Sequence, residues 1–244
     1  LIPEKRLPAE VLRTEIDFVK GLGDIAVKTG QAVKAPEALL KKYDAVIVTA
    51  GVAEQLRLNI PNENLGVEGL EFLANRKKYA VKGRNVAVIG GGAVAADCAE
   101  IAHAGGAAHV ELFALEKLGE MPLTAKELKG ILDCGINVSG RIRVTQITAK
   151  KGKITGLKTL KVALPKGKKF HPRAIKDVPG TGQTRNDIDF VVIAAGSRPS
   201  FKADGAKGVF YAGDLANGPT TVVEAVAAGK NAALTVDTFV TGAK

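Results

Sequence analysis

A chain of 244 residues, 46% hydrophobic and with a mean hydropathy of +0.09, holds material for a packed core and for two domains, while 28 glycines against 10 prolines and few aromatics fit an α/β protein and exclude a disordered or collagen-like one. The net charge of +10 is concentrated between Lys150 and Arg173, with nine Lys or Arg and no Asp or Glu; no nucleic-acid-binding motif accompanies it, so nucleic acid is the least favoured partner. No apolar run reaches the roughly 18–20 residues of a membrane span, and no secretory signal is visible, so a cytoplasmic home is expected.

The chain opens on Leu1 rather than Met and in mid-motif, as a processed product or an excised piece of a longer protein would. Residues 8–21 are predicted as a helix, with Pro8 near the start, apolar Val11, Leu12, Ile16, Phe18 and Val19, and glycine at the end. Residues 24–29 alternate like a short strand, 35–41 form a second short helix, and 43–48 a buried strand ending in Thr49-Ala50-Gly51. Polar, turn-rich text from 60 to 67 sets a domain boundary near Gly66, with a helix over 67–73 entering the next domain. There follow a strand (85–89), a turn (90–92), a helix (93–104), a strand (109–115) and a helix (124–133) whose Thr124 and Glu127 have capping-box spacing. In the basic region, Ile154, Leu157, Leu160, Val162 and Leu164 alternate with the cations. That pattern reads first as a β-hairpin with a solvated basic face, and second as a docking surface for an acidic partner protein. A strand over 189–193 ends in Ala194-Ala195-Gly196, echoing the ending at Gly51. Either both are ordinary buried strands with turns, or their small residues let the backbone pass close to a cofactor or cross between domains; position relative to the central unit favours the second.

The strand of residues 85–89 runs straight into Gly90-x-Gly92-x-x-Ala95 and then a helix, the order of a dinucleotide-binding βα turn. Gly90 permits the tight turn, Gly92 lets the backbone approach a pyrophosphate, and Ala95 is small enough for close helix–strand packing. With Gly91, Ala93 and Val94 they present backbone amides and a helix N-terminus to phosphate charge. Alone such a string is weak, since a glycine-rich turn without a ligand is common. Here a strand precedes it, an amphipathic helix follows, and the next strand ends at Glu116, 21 positions after Ala95, where an acid hydrogen-bonds adenosine ribose hydroxyls. A carboxylate there repels a 2′-phosphate, and Lys117 is the sole base close by. NADH is therefore favoured over NADPH, the alternative being that Glu116 is a merely exposed charge.

Residues 209–214 form a strand ending in Gly213-Asp214, and a helix begins near Thr221. Asp214 suits a ribityl hydroxyl and Gly213 a pyrophosphate chain, while the helix start at Thr221 and Val222 stabilises negative charge on a reduced flavin ring. Taken alone, a solvated turn capping a core helix is the preferred reading. Its occurrence after the Ala194-Ala195-Gly196 ending turns the reading toward flavin. Two cysteines, Cys98 and Cys134, and the scattered His103, His109 and His171 leave no disulfide framework, four-cysteine zinc site or iron–sulfur cluster.

With these residues assembled, the chain resembles the flavin- and nicotinamide-binding part of the glutamate synthase small-subunit family and the matching domains of dihydropyrimidine dehydrogenase. The matching segments are Ile2-Pro3-Glu4-Lys5-Arg6-Leu7-Pro8, residues 43–51, residues 90–97, Glu120-Met121-Pro122 and residues 212–229. The resemblance implies two nested Rossmann-like domains. FAD is held by residues 1–66 and 197–244, and NAD(P)H by the inserted 67–196. Hydride passes to the flavin, and electrons leave singly for a partner iron–sulfur domain or a larger catalytic subunit. No catalytic acid or base is implied, because positioning two rings does most of the work. Two departures stand out. The family's first glycine-rich βαβ unit and cysteine-cluster domain, which lie upstream of the Ile-Pro segment, are not in this sequence, so the first domain is expected to be incomplete. Ala114-Leu115-Glu116 stands where NADPH-using relatives tend to have an arginine pair. A thioredoxin-reductase-like enzyme is the nearest rival but needs a Cys-x-x-Cys pair, and the two cysteines are 36 positions apart. A second class of function is a nucleotide-binding or docking module without turnover.

Overall fold

The computed structural model describes residues 2–202 and 205–242. In chain order the elements are α1 (Ala9–Lys20), β1 (Val46–Val48), β2 (Glu54–Gln55), β3 (Val67–Glu68), α2 (Gly69–Ala74), β4 (Asn85–Ile89), α3 (Ala93–Ala104), β5 (His109–Ala114), α4 (Ala125–Asp133), β6 (Asn137–Gly140), β7 (Ile142–Lys150), β8 (Lys153–Ala163), β9 (Lys176–Asp177), β10 (Gln183–Arg185), β11 (Phe190–Ile193), β12 (Ser197–Arg198), β13 (Val209–Tyr211), α5 (Asp214–Asn217) and α6 (Val222–Thr241). They gather into two compact units: Leu1–Thr14 with Arg57–Gly196, and Glu15–Leu56 with Ser197–Lys244.

The first unit is built on a five-stranded parallel sheet in the order β3-β11-β4-β5-β6. Alternate residues of each strand face opposite ways, so Val86 and Val88 of β4, Val110 and Leu112 of β5, and Val192 of β11 pack with Phe72 of α2, Ala95, Ala99 and Ala102 of α3, and Ile131 of α4. The intervening Ala87, Ile89, Phe113, Val191 and Ile193 pack on the other face against Val144 and Ile147 of β7 and Leu157 of β8. Covering both faces explains why these strands read as continuous apolar runs rather than alternating ones. The basic segment is therefore a third layer: an antiparallel β7–β8 hairpin, extended by β10 and β9, which turns apolar residues inward and leaves Lys153, Lys158 and Lys161 exposed.

The boundary expected near Gly66 falls instead at Arg57, and residues 1–14 join the middle of the chain rather than 15–56. Hydrogen bonds explain both shifts. Asn62 Nδ2 donates to Ile147 O at 2.8 Å and Ile147 N donates to Pro61 O at 3.1 Å, tying the turn-rich text to β7. Arg6 is tied to Asp97 of α3, as described below. Three local expectations also change. Residues 24–29 form no strand, since Ile25 and Val27 are exposed and the alternation has no neighbouring strand to pair with among the described residues. Val67 and Glu68 pair with β11, so the helix expected from 67 starts at Gly69. Residues 36–41 form a 3₁₀ rather than an α-helix.

The second unit is lightly packed. Its β1 and β13 form a parallel pair, Val48 opposite Tyr211, and β2 and β12 an antiparallel one. Val48, Val209 and Leu215 make its buried core, and Phe210 meets Phe239 of α6 edge-on at 5.4 Å. No residue of α6 is buried, and Val223 and Leu234 are 77% and 67% exposed.

Candidate nucleotide-binding site

The parallel sheet of the first unit changes direction at β4: the chain proceeds from β4 to β5 and β6 on one side and returns on the other to β11, which lies between β4 and β3. Ligands of such sheets bind beyond the carboxyl ends of the strands at that switch. There the structure brings together Gly90, Gly91 and Gly92 after β4, Glu116 and Lys117 after β5, and Ala195 and Gly196 after β11.

The three glycines differ in what they need. Gly90 has φ +146°, and a Cβ there would lie 2.2 Å from the carbonyl oxygen of Ala194. The sequence assigned Gly90 to the tight turn; its closest constraint is this passage beside the end of β11. A Cβ on Gly91 would lie 2.7 Å from Glu116 Oε2, so the Glu116 carboxylate folds over the turn. Gly92 is extended, with φ −93° and ψ 179°, and a Cβ there would meet nothing within 4 Å. Gly92 is the N-cap of α3 without a side-chain cap, so the amides of Ala93, Val94 and Ala95 open onto that space before Ala96 N makes the first helical bond to Gly92 O at 3.1 Å. Ala95 is fully buried beneath Gly90. Glycine at 92 thus leaves a cradle that a side chain would fill, at a helix end that favours anions. The donor set fits a dinucleotide pyrophosphate.

Glu116 is half-buried, and burial pushes its carboxyl above the usual carboxylate range, against the pull of its own backbone amide and of Arg141. Lys117 is exposed, and its backbone N–H donates to Glu120 at 3.0 Å. Ala195 packs beside the β7–β8 layer, and Gly196 has φ +110°.

In the second unit, Gly51 and Gly213 follow the neighbouring parallel strands β1 and β13, and a Cβ on either would meet nothing within 4 Å. Asp214 Oδ1 accepts from Thr220 N at 3.1 Å and from Thr220 Oγ1 at 2.8 Å, so this carboxylate, expected to hold a ribityl hydroxyl, also fixes the loop leading to α6. Thr221 caps α6 in a reciprocal box with Glu224, whose Oε2 accepts from Thr221 N at 2.9 Å. That amide is already engaged, and the start of the helix is presented by exposed Val222. These residues fit the pyrophosphate and ring end of a flavin dinucleotide. Among the described residues the unit has no second GxGxxG turn between a strand and a long helix for the adenosine end.

Sequence reasoning missed an ion-pair cluster beside the turn. Arg6 Nη1 donates to both oxygens of buried Asp97 at 2.8 and 2.9 Å, and its Nη2 lies 2.7 Å from Glu127. Burial pushes the Asp97 carboxyl up while Arg6 draws it down. Arg6 and Asp97 both lay within matched motifs, but nothing in their spacing of 91 positions announced the pair. Glu224 and Arg141 were likewise unassigned. Cys98 is buried, its Sγ 3.6 Å from Gly69 O, and burial pushes its thiol up to about 12. Cys134 is also free, and among the described residues no cluster of His, Cys, Asp or Glu could hold a metal ion.

A family described as pyridine nucleotide-disulphide oxidoreductase matches residues 8–229. The chain belongs to that family. Within it, the chain is 32% identical to the NADP(+)-dependent formate dehydrogenase subunit beta of Moorella thermoacetica, over 98% of this chain and 38% of that protein. It is 26% identical to the glutamate synthase [NADPH] small chain of Escherichia coli K12, over 95% of this chain and 58% of that one. The resemblance to the glutamate synthase small subunit read from the motifs is borne out. The chain spans between about a third and three fifths of the length of such curated relatives. Among solved structures, Lactococcus lactis thioredoxin reductase matches 81% of this chain and 66% of its own with a TM-score of 0.61 at 15% identity, a likeness of fold. The α/β architecture of Rossmann-like domains follows, and membership of this oxidoreductase family implies binding of FAD and NAD(P)H.

Proposed function

We propose that this chain is the nicotinamide-oxidising part of a flavin-linked reductase, taking hydride from NADH and handing electrons to a partner iron–sulfur domain or larger catalytic subunit. One observation carries the reading: the open cradle at Gly92, at the uncapped start of α3, with the Glu116 carboxylate folded over the same turn. In this reading Gly91, Gly92 and the amides of Ala93, Val94 and Ala95 hold the pyrophosphate, Gly90 and Ala195-Gly196 set the backbone path, and Glu116 accepts from the adenosine ribose. Lys117 flanks that ribose. Gly51, Gly213, Asp214, Thr221 and Val222 take the flavin side. FAD, when bound, supplies the hydride acceptor. Residues for its adenosine end are not among those described, so weak retention of FAD by this chain alone is expected.

The relatives reported above are named for NADP(+) and NADPH. The preference for NADH rests on this chain's own residues, since a 2′-phosphate would meet Glu116, and Ala114-Leu115-Glu116 stands where the family resemblance implies that NADPH-using relatives tend to have an arginine pair. Both relatives are also named as one chain of a larger enzyme, subunit beta and small chain, which supports a partner. Thiol chemistry has little support, because Cys98 is buried and held as the inert thiol. The test is visible absorbance after incubation with FAD. Flavin bands that bleach on anaerobic addition of NADH support the reading. A chain that binds NADH but takes up no FAD at any concentration leaves only a nucleotide-binding module.

A further inference from the structure

Arg141 occupies a position that no cofactor contact requires, and the structure nonetheless fixes it from many sides. It follows β6 with φ +57°, a left-handed conformation uncommon for a residue with a side chain and held here by the surrounding contacts. Its side chain is only 14% exposed. Nη1 donates to Leu115 O at 2.7 Å, Nη2 donates to Glu120 at 2.8 Å, and the guanidinium lies over the Phe170 ring, 5.6 Å from its centre. The backbone joins in: Arg141 N donates to Glu116 O at 3.1 Å. Gly140 makes this approach feasible, because a Cβ there would lie 2.7 Å from the same Glu116 oxygen. Glu120, held by Arg141, in turn accepts from Lys117 N at 3.0 Å.

Apart from the Phe170 ring, these contacts all fall on the segment from Leu115 to Glu120, the loop that carries Glu116 over Gly91. We propose that Arg141 is a positioning residue that sets nicotinamide selectivity by clamping this loop, so that the Glu116 carboxylate stands where the adenosine ribose arrives. The proposal rests on the reading of Glu116 as the ribose-binding acid. Arg141 does not itself read a 2′-phosphate: its guanidinium is committed to Leu115 O, to Glu120 and to the Phe170 face, and bidentate placement of this kind is a property of arginine that lysine does not reproduce. A neutral side chain of similar length fills the same space but removes the donor to Leu115 O and the cation from Glu120, which keeps only Lys117 N, and the loop is freed to move.

The experiment measures dissociation constants for NADH and NADPH by nicotinamide fluorescence in the unmodified chain and in Arg141→Met, Arg141→Lys, Glu116→Ala and the Glu116→Ala/Arg141→Met double variant, with a thermal melt of each. Arg141→Met is expected to weaken NADH by roughly tenfold, the loss of one well-made contact, with NADPH little changed, so that the ratio of the two constants collapses. Arg141→Lys falls between. On the Glu116→Ala background Arg141→Met changes the ratio no further, an outcome that a purely structural role does not produce. An unchanged ratio in Arg141→Met, or a loss confined to NADPH, overturns the clamp. An unchanged ratio in Glu116→Ala fails the Glu116 reading and the clamp with it; a changed ratio there with none in Arg141→Met fails the clamp alone. If Arg141→Met does not fold, Arg141→Lys carries the test, with the same two contrary results.

Discussion

Replacing Gly92 and Gly90 in turn by alanine separates a glycine kept for a ligand from one kept for the fold. Gly92 is extended, and a Cβ on it meets nothing within 4 Å. The folded chain loses no contact. Alanine is a somewhat poorer N-cap than glycine, but it restricts the unfolded chain, worth about 0.4–1 kcal/mol in the other direction. Stability should stay within about 1 kcal/mol, a melting shift of no more than roughly 2–4 °C for a chain of this size. Binding is another matter. A methyl in the cradle holds the pyrophosphate away from the α3 amides, and a lost hydrogen bond to a charged group costs about 1.5–3 kcal/mol, roughly 10- to 150-fold in affinity. Gly90→Ala has the opposite signature. Its φ of +146° and the 2.2 Å approach to Ala194 O force either the turn or the end of β11 to move. Left-handed strain of about 1–2 kcal/mol plus overpacking of about 1–3 kcal/mol lowers the melting temperature by roughly 5–15 °C. Scanning calorimetry and NADH fluorescence titration on the two variants give the comparison. Unchanged NADH affinity in Gly92→Ala, with the fold intact, would refute the cradle.

Glu116→Arg should move preference toward NADPH, read from the two dissociation constants; equal ratios before and after remove Glu116 from the specificity argument. Glu116 also has a pH signature. Its folded pKa is raised by burial, so its carboxyl favours the folded state fully below the ordinary glutamate range, near about 4.3, and that contribution is lost as pH rises through the elevated folded value. Glu116→Gln should therefore melt higher than the unmodified chain at pH 7, with the gap closing toward pH 4; a gap that widens on acidification contradicts the assignment. Arg6→Ala leaves Asp97 and Glu127 without their shared cation, and because Arg6 is partly exposed the expected loss is about 1–3 kcal/mol by urea denaturation, with earlier proteolytic release of residues 1–14. Neither change would mean that the N-terminal arm is held by other contacts. Replacing both cysteines by alanine should leave NADH affinity unaltered, and a thiol reagent should leave Cys98 unlabelled in the folded chain.

What the sequence made legible was whatever local chemistry dictates. The β4 turn was readable because Gly90, Gly92 and Ala95 stand at a fixed local spacing between a strand and a helix, and α4 because Thr124 and Glu127 cap it, with Glu127 N donating to Thr124 Oγ1 at 3.3 Å. The same logic misled at 24–29, where alternation promised a strand and no partner strand exists among the described residues. Distant pairings were invisible. Arg6 reaches Asp97 across 91 positions, and Arg141 reaches Leu115 and Glu120 because β5 and β6 are neighbours in the sheet. Gly90 was assigned correctly to a turn, yet the neighbour that excludes a side chain, Ala194 O, lies just after β11, about a hundred residues later. The basic run was read first as a hairpin with a solvated basic face and is one; what its sequence did not show is that the apolar side of the hairpin, Ile147 and Leu157, packs on the parallel sheet.

The most direct test of the account is a side-by-side titration of the unmodified chain with NADH and with NADPH at one ionic strength. The account predicts saturable binding of NADH that is tighter than that of NADPH and is weakened roughly 10- to 150-fold in Gly92→Ala. Equal affinity for the two nucleotides, or tighter binding of NADPH, would contradict it.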